Sequence, residues 1–285
     1  MRVGLHVPQF REHVDAPLIR EAARAAEDAG LDDVWVSDHV IVPAGSERPP
    51  ESFHDALTVL TFAAAATERI GLGTSVMVAP YRHPVVLARA VASLDALSGG
   101  RVILGIASGW MRSEFAALGV PFSRRGALTD ETVAACRALW RGDGSFTGAT
   151  VAIDDGRITP GPARPGGPPV WIGGNSRAGM RRAARIGDAW HTTISDPEDL
   201  ARRLETLAEE SARAGRDEPP PVSVRVRADA DGAARLAPRL AALGVVHLLV
   251  DLPGTDPGRF RDQAPRLAAL RGSDPPSAPG GPAAG

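Results

Sequence analysis

Lysine is absent from this sequence, so all 32 basic residues are arginine. No chemistry that needs a Schiff-base lysine is open to the chain, which excludes lysine aldolases and pyridoxal enzymes. Cysteine is nearly absent as well. Cys136 stands alone, so there is neither an intramolecular disulfide nor a thiolate metal cluster to consider, and its helical surroundings read as core. No apolar run reaches the length of a membrane span, and no membrane partner is expected. A net charge of -2 without a basic block argues against a nucleic-acid partner, because phosphate backbones demand clustered cations. Met1-Arg2-Val3-Gly4-Leu5 enters a strand-like pattern without the regions of a secretory signal. A cytoplasmic location is the corresponding expectation.

What is present is an alternation. Eight short β-branched runs are separated by Ala/Leu-rich stretches of helical period, the pattern of βα units around a parallel sheet. The runs are Val3 to Val7, Asp33 to Val36, Ile70 to Val78, Val102 to Ile106, Val170 to Ile172, Ala189 to Thr192, Val222 to Val226 and Val246 to Val250. Eight such units, 285 residues and 44% apolar composition predict one α/β domain, a (β/α)₈ TIM barrel over residues 1–271. Gly30, Gly99, Gly142, Gly187 and Gly244 read as helix stops. Asp196-Pro197 reads as the N-cap and first residue of the helix after the sixth strand. The Gly/Pro/Asp-rich segment 142–169 reads as an excursion between strands four and five, with a hairpin as one form it can take. Residues 272–285 have no apolar anchor and are expected to be a disordered tail.

In such barrels the active site lies at the C-terminal ends of the strands, which selects a short list of residues. Asp38 and His39 follow strand two; their pairing fits a proton donor, a hydrogen-bond donor to a cofactor, or a helix cap. Thr74, Ser75 and Val76 lie in strand three, and Ala107, Ser108, Gly109 and Trp110 follow strand four. Trp110 suits a planar cofactor, a substrate, or plain packing. Glu114 lies one helical turn on, as either a structural or a catalytic carboxylate. Gly173-Gly174-Asn175-Ser176 leads into a helix, where a phosphate site and a simple tight turn are both consistent readings. His191 ends strand six. His6 has no second histidine two residues on, so no metal site is assigned. His247, inside an apolar strand, reads as a satisfied core residue.

These segments resemble the luciferase-like monooxygenase superfamily. The resemblance is carried by Ser37-Asp38-His39, by GLGTSVMVAPYRHPVVLARAVASLDALSGGRVILGIASGWMRSEFAALGV (Gly71 to Val120) and by VWIGGNSRAGMRRAARIGDAWHTT (Val170 to Thr193). It runs in order from Val3 to about Asp251, and within the superfamily it is most similar to the actinobacterial branch that uses coenzyme F420. The resemblance implies a flavin or deazaflavin ring in the barrel mouth, a non-prolyl cis peptide between Ser75 and Val76 behind it, and His39 near ring and substrate. It further implies that Thr74 to Val76 back the ring, Ala107 to Gly109 line it, and Gly173 to Ser176 take the phosphate. Coenzyme F420 is the favoured cofactor, which makes the reaction hydride transfer with a small organic substrate. FMN in a two-component monooxygenase is the alternative, and a non-catalytic flavin-binding relative a further one. The sugar-phosphate dehydrogenases of the superfamily carry a glutamate where this chain has Trp110, which sets sugar phosphates aside. Catalytic roles fall to His39, Glu114 and His191. Gln9, Phe10 and the loop from Val42 to Phe53 are expected to touch the substrate, and a homodimer is the expected assembly.

Overall fold

The structure, a computed structural model, describes residues 1–254 and 256–272; the rest of the expected tail lies outside the described residues. Strands β1 (Arg2–His6), β2 (Asp33–Val36), β3 (Gly71–Thr74), β4 (Met77–Val78) and β5 (Val102–Ala107) come first. They alternate with helices α1 (Ala16–Asp28), α2 (Ala56–Ala66) and α3 (Pro84–Leu97). After α4 (Arg112–Ala117) and α5 (Arg125–Arg141) come the short β6 (Phe146–Thr147) and β7 (Ala152–Ile153). The second half runs β8 (Val170–Gly173), α6 (Arg177–Ile186), β9 (Ala189–Thr192), α7 (Pro197–Arg213), β10 (Val222–Arg227), α8 (Ala230–Ala242), β11 (Val245–Asp251) and α9 (Pro257–Ala268).

All pairings in the main sheet are parallel, and β3 pairs with β5 to close it into a barrel. The expected third strand is in fact two, interrupted at Ser75–Val76, where the peptide is cis; β4 alone continues along the upper part of β5. The 142–169 segment carries the antiparallel pair β6–β7, outside the barrel sheet. Both faces of the barrel strands are covered, which is why β2 and β9 are buried throughout instead of alternating. Around them the helices turn apolar stripes inward, as α1 does with Leu18, Ile19, Ala22, Ala23 and Ala26. Asp196 caps α7 by accepting the Asp199 amide at 2.8 Å. Gly142 ends α5 in the left-handed region at φ 78°, whereas the expected stop Gly187 lies at φ -87°. There glycine serves contact instead: a Cβ would lie 2.8 Å from the Ala183 carbonyl.

The barrel interior is filled by Trp35, Trp171 and Leu249 together with His191 and His247. Trp35 fits because Gly73 faces it; a Cβ at residue 73 would lie 2.3 Å from the indole. Polar groups buried here are stable only when hydrogen-bonded, and they are. The Ser75 hydroxyl meets His191 Nε2 at 2.8 Å, His191 Nδ1 meets Ser223 at 2.8 Å, Ser223 meets His247 Nδ1 at 2.6 Å, and His247 Nε2 meets Asp33 at 2.8 Å. Burial opposes ionisation of Asp33, but His247, Arg2 and Trp35 outweigh it and hold the carboxyl at about 2. Among the described residues no helix is long and apolar enough to cross a membrane.

Candidate active site

The strand ends converge on a cavity of about 660 Å³ at the C-terminal mouth of the barrel. Its walls bring together Asp38, His39, Ser75, Val76, Ala107, Ser108, Gly109, Trp110, Glu114, Gly173, Gly174, Asn175, Ser176 and His191. Thr74 does not line it. Its hydroxyl turns into the wall and donates to the Gly105 carbonyl at 2.7 Å. The two strands can approach this closely because residue 105 is glycine: a Cβ there would lie 1.8 Å from the Thr74 carbonyl oxygen.

One wall is built largely from small residues, Ala107, Gly109 and Gly173 beside Val76. Val76 meets Gly173 so tightly that a Cβ at residue 173 would lie 2.9 Å from a Val76 methyl, and Gly109 adopts φ 77°, where a side chain is strained. The wall runs into the turn before α6. Gly174 sits at φ 125°, and a Cβ there would lie 3.8 Å from the Gly179 Cα, in the first turn of α6. Ser176 caps α6 by accepting the Gly179 amide at 3.2 Å, while the first amides of the helix have no intrahelical partner. Asn175 holds this turn to β9, accepting from the Thr192 hydroxyl at 2.8 Å and donating to that of Thr193 at 2.8 Å. Arg182, on the same cavity, donates to Ser108 Oγ at 3.1 Å and to the Gly126 carbonyl at 3.0 Å, and pairs with Asp130. A helix N-terminus with adjacent guanidinium is a site for an anion.

His39 is held by Glu114. The carboxylate accepts from His39 Nδ1 at 2.9 Å, from the Tyr81 hydroxyl at 2.9 Å, and from the amides of Val40 at 2.8 Å and Ile41 at 3.3 Å. Burial raises its pKa, but these donors outweigh burial and hold it below the ordinary value of 4.5. Tyr81 moves the opposite way, pushed up by burial and by the carboxylate it faces. With an ionised acceptor on Nδ1, the neutral imidazole keeps its hydrogen there and leaves Nε2 as an acceptor. Asp38 lies on the cavity wall, yet both its oxygens are taken: Arg82 binds them at 2.6 and 2.8 Å, and the Val78 amide donates at 2.9 Å. His191 is buried in the floor, and burial, reinforced by His247 and Arg225, pushes its pKa down to about 3.

A second cavity of about 1030 Å³ adjoins the first, and both are bordered by His39 and Trp110. Phe10 and residues 46–52 line it. Gln9 also faces it, but its amide is engaged with both the N–H and C=O of Ser37, at 2.7 and 2.6 Å. Between the two cavities Arg225 donates to Ser37 Oγ at 2.8 Å and to the Ser75 carbonyl at 3.0 Å, and pairs with Asp251 at 2.7 Å. Sequence reasoning missed Arg225, Tyr81 and Arg182. Arg225 carries a signal that could have found it, a charge inside the apolar alternation Val222-Ser223-Val224-Arg225-Val226. Tyr81 and Arg182 leave no such mark.

The sequence profile of the luciferase-like monooxygenase family matches residues 2–270. An F420-dependent glucose-6-phosphate dehydrogenase of Beutenbergia cavernae is 37% identical over 201 residues, 67% of this chain and 57% of that one. Among solved structures, an F420-dependent secondary alcohol dehydrogenase in complex with an F420-acetone adduct superposes with a TM-score of 0.78, at 19% identity and covering 93% of this chain and 98% of that one. The oxygenating constituent of 3,6-diketocamphane monooxygenase of Pseudomonas putida, in complex with FMN, reaches a TM-score of 0.76 at 17% identity, covering 94% and 97%.

Proposed function

This chain belongs to the luciferase-like monooxygenase family, and on that premise we propose that it is an F420-dependent oxidoreductase exchanging hydride with a small organic alcohol or carbonyl compound. The observation that carries the reading is one cavity that joins a small-residue wall, the first turn of α6, and His39. A planar ring against Val76, Ala107, Gly109 and Gly173, with its phosphate on the Gly174–Ser176 turn, fits those residues. Gly174 provides the local test of fit, since a side chain there would lie against the first turn of α6, 3.8 Å from the Gly179 Cα, in the place the phosphate would take. The F420-dependent relative, at higher identity than the FMN protein, supports the deazaflavin over FMN.

A bound deazaflavin supplies hydride exchange at one ring carbon. The chain supplies position and proton transfer. Glu114 fixes the His39 ring so that Nε2 is its free nitrogen. In the oxidising direction Nε2 accepts the proton of the substrate hydroxyl as the carbon beside it gives up hydride; in the reducing direction the imidazolium returns that proton to the carbonyl oxygen. Glu114 acts through His39 and is a positioning residue. His191, with both ring nitrogens on serine hydroxyls, holds the floor at Ser75.

Titration of the purified protein with oxidised F420 and with FMN tests the cofactor assignment. F420 is expected to bind at least about tenfold more tightly. Preferential binding of FMN would transfer the assignment to oxygen chemistry.

A further inference from the structure

Three aromatic rings surround His39. The ring centroids of Phe10, Phe53 and Trp110 lie 6.4, 6.2 and 6.2 Å from that of the imidazole, all steeply inclined to it. Phe10 and Phe53 are joined by a β-bridge and by ring contact at 6.1 Å, so two separate loops are tied into one wall. Trp110 completes the wall from the end of β5, and it is 64% exposed. The other four tryptophans, at positions 35, 140, 171 and 190, are buried. An indole left in solvent beside a candidate catalytic histidine, on the border of two cavities, is apolar surface awaiting a partner.

The charged groups around His39 are already engaged inside the protein. Asp38 is held by Arg82, Glu114 by four donors, and Arg225 by Asp251. What remains charged on the second cavity, Arg11, Glu12, Glu47, Arg48, Glu51 and Arg227, is exposed and of both signs. With these groups engaged among themselves, an anionic group pressed against His39 would be poorly compensated, and burying an uncompensated charge is costly. We propose that Phe10, Phe53 and Trp110 form an uncharged clasp that delivers a ring-bearing secondary alcohol, or the corresponding ketone, to His39 and does not accept sugar phosphates. The proposal rests on the hydride-transfer reading for the reacting group, while the clasp itself is a statement about binding.

The isolation of Trp110 makes the test specific. Protein labelled with fluorotryptophan and loaded with reduced cofactor, so that alcohols bind without turnover, is titrated with 1-phenylethanol and with glucose 6-phosphate by ¹⁹F NMR. The Trp110 resonance is assigned by Trp110→Phe. 1-Phenylethanol is expected to shift that resonance saturably; Phe10→Ala and Phe53→Ala, read at Trp110, and Trp110→Ala, read by isothermal titration calorimetry, are each expected to weaken its Kd about threefold to tenfold. Glucose 6-phosphate is expected to leave the resonance in place. Because Trp110 is exposed, Trp110→Ala keeps the test valid even where a phenylalanine variant fails to fold. Saturable binding of glucose 6-phosphate at Trp110, no response to 1-phenylethanol, or an unchanged 1-phenylethanol Kd in the folded alanine variants would overturn the clasp. A saturable response with no hydride exchange on adding oxidised cofactor would leave the clasp standing and remove the proposed reaction.

Discussion

Nδ1 of His39 lies 2.9 Å from Oε2 of Glu114, and the same carboxylate accepts the Tyr81 hydroxyl, also at 2.9 Å. This pair ties the end of β2 to the start of α4 and leaves one imidazole nitrogen to face substrate. His39→Ala is expected to lower turnover by about 10²- to 10⁴-fold, the usual range for general acid or base help, with cofactor affinity nearly unchanged. Steady-state kinetics and cofactor titration on the same preparation check this. Loss of cofactor binding would instead make His39 a cofactor contact.

Glu114→Gln separates positioning from chemistry. The amide can still accept some of the four hydrogen bonds, but it can no longer hold the His39 hydrogen on Nδ1 as a carboxylate does. Turnover is expected to fall less than in His39→Ala, with its pH profile displaced and KM little changed. Because the Glu114 pKa is depressed in the fold, its contribution to stability is present above about pH 4.5 and is lost as pH falls through the depressed value. Acid unfolding of Glu114→Gln, followed by circular dichroism, is therefore expected to lose part of the wild-type dependence below that pH.

Much of this arrangement is legible because a barrel strand announces its own end: following each β-run to its last residue selects Asp38-His39, Ala107 to Trp110 and Gly173 to Ser176. Side-chain direction was not legible. Thr74 and Asp38 occupy strand-three and strand-two mouth positions, yet their polar groups are consumed by Gly105 and Arg82, partners 31 and 44 residues away. Arg225 reaches Ser37 across 188 residues of chain. Contacts of this kind exist only once the barrel closes, and no local pattern encodes them.

His6 and His191 supply a pH prediction of the opposite chemical kind. Burial, with Arg225 adding to it, lowers both to about 3. The unfolded chain therefore binds protons at these two sites that the folded chain refuses, and stability falls as pH drops below about 6.5. The melting temperature is expected to stay level above neutrality and to decline progressively toward pH 4. His191→Gln, which keeps a polar group near Ser75 but cannot charge, is expected to flatten that decline while costing some stability near neutral pH. A decline of the same steepness in the variant would remove His191 from the account.

Gly174→Val addresses the phosphate turn. At φ 125° a β-branched residue is strained, and its side chain would enter the space beside the α6 amides. Cofactor affinity is expected to fall by about a hundredfold or more, whereas the melting temperature drops by only a few degrees. Isothermal titration alongside thermal unfolding reads both quantities. An intact affinity in the folded variant would move the anion elsewhere.

Hydride transfer at this site is expected to need no oxygen. The most direct measurement is a single-turnover absorbance trace: protein loaded with oxidised F420 is mixed with 1-phenylethanol, once under nitrogen and once in air. The deazaflavin is expected to bleach at the same rate in both, with one equivalent of ketone per cofactor reduced and loss of the fast phase in His39→Ala. Contradiction would be a protein in which F420 stays oxidised while reduced FMN, in air, is consumed with incorporation of oxygen into the substrate.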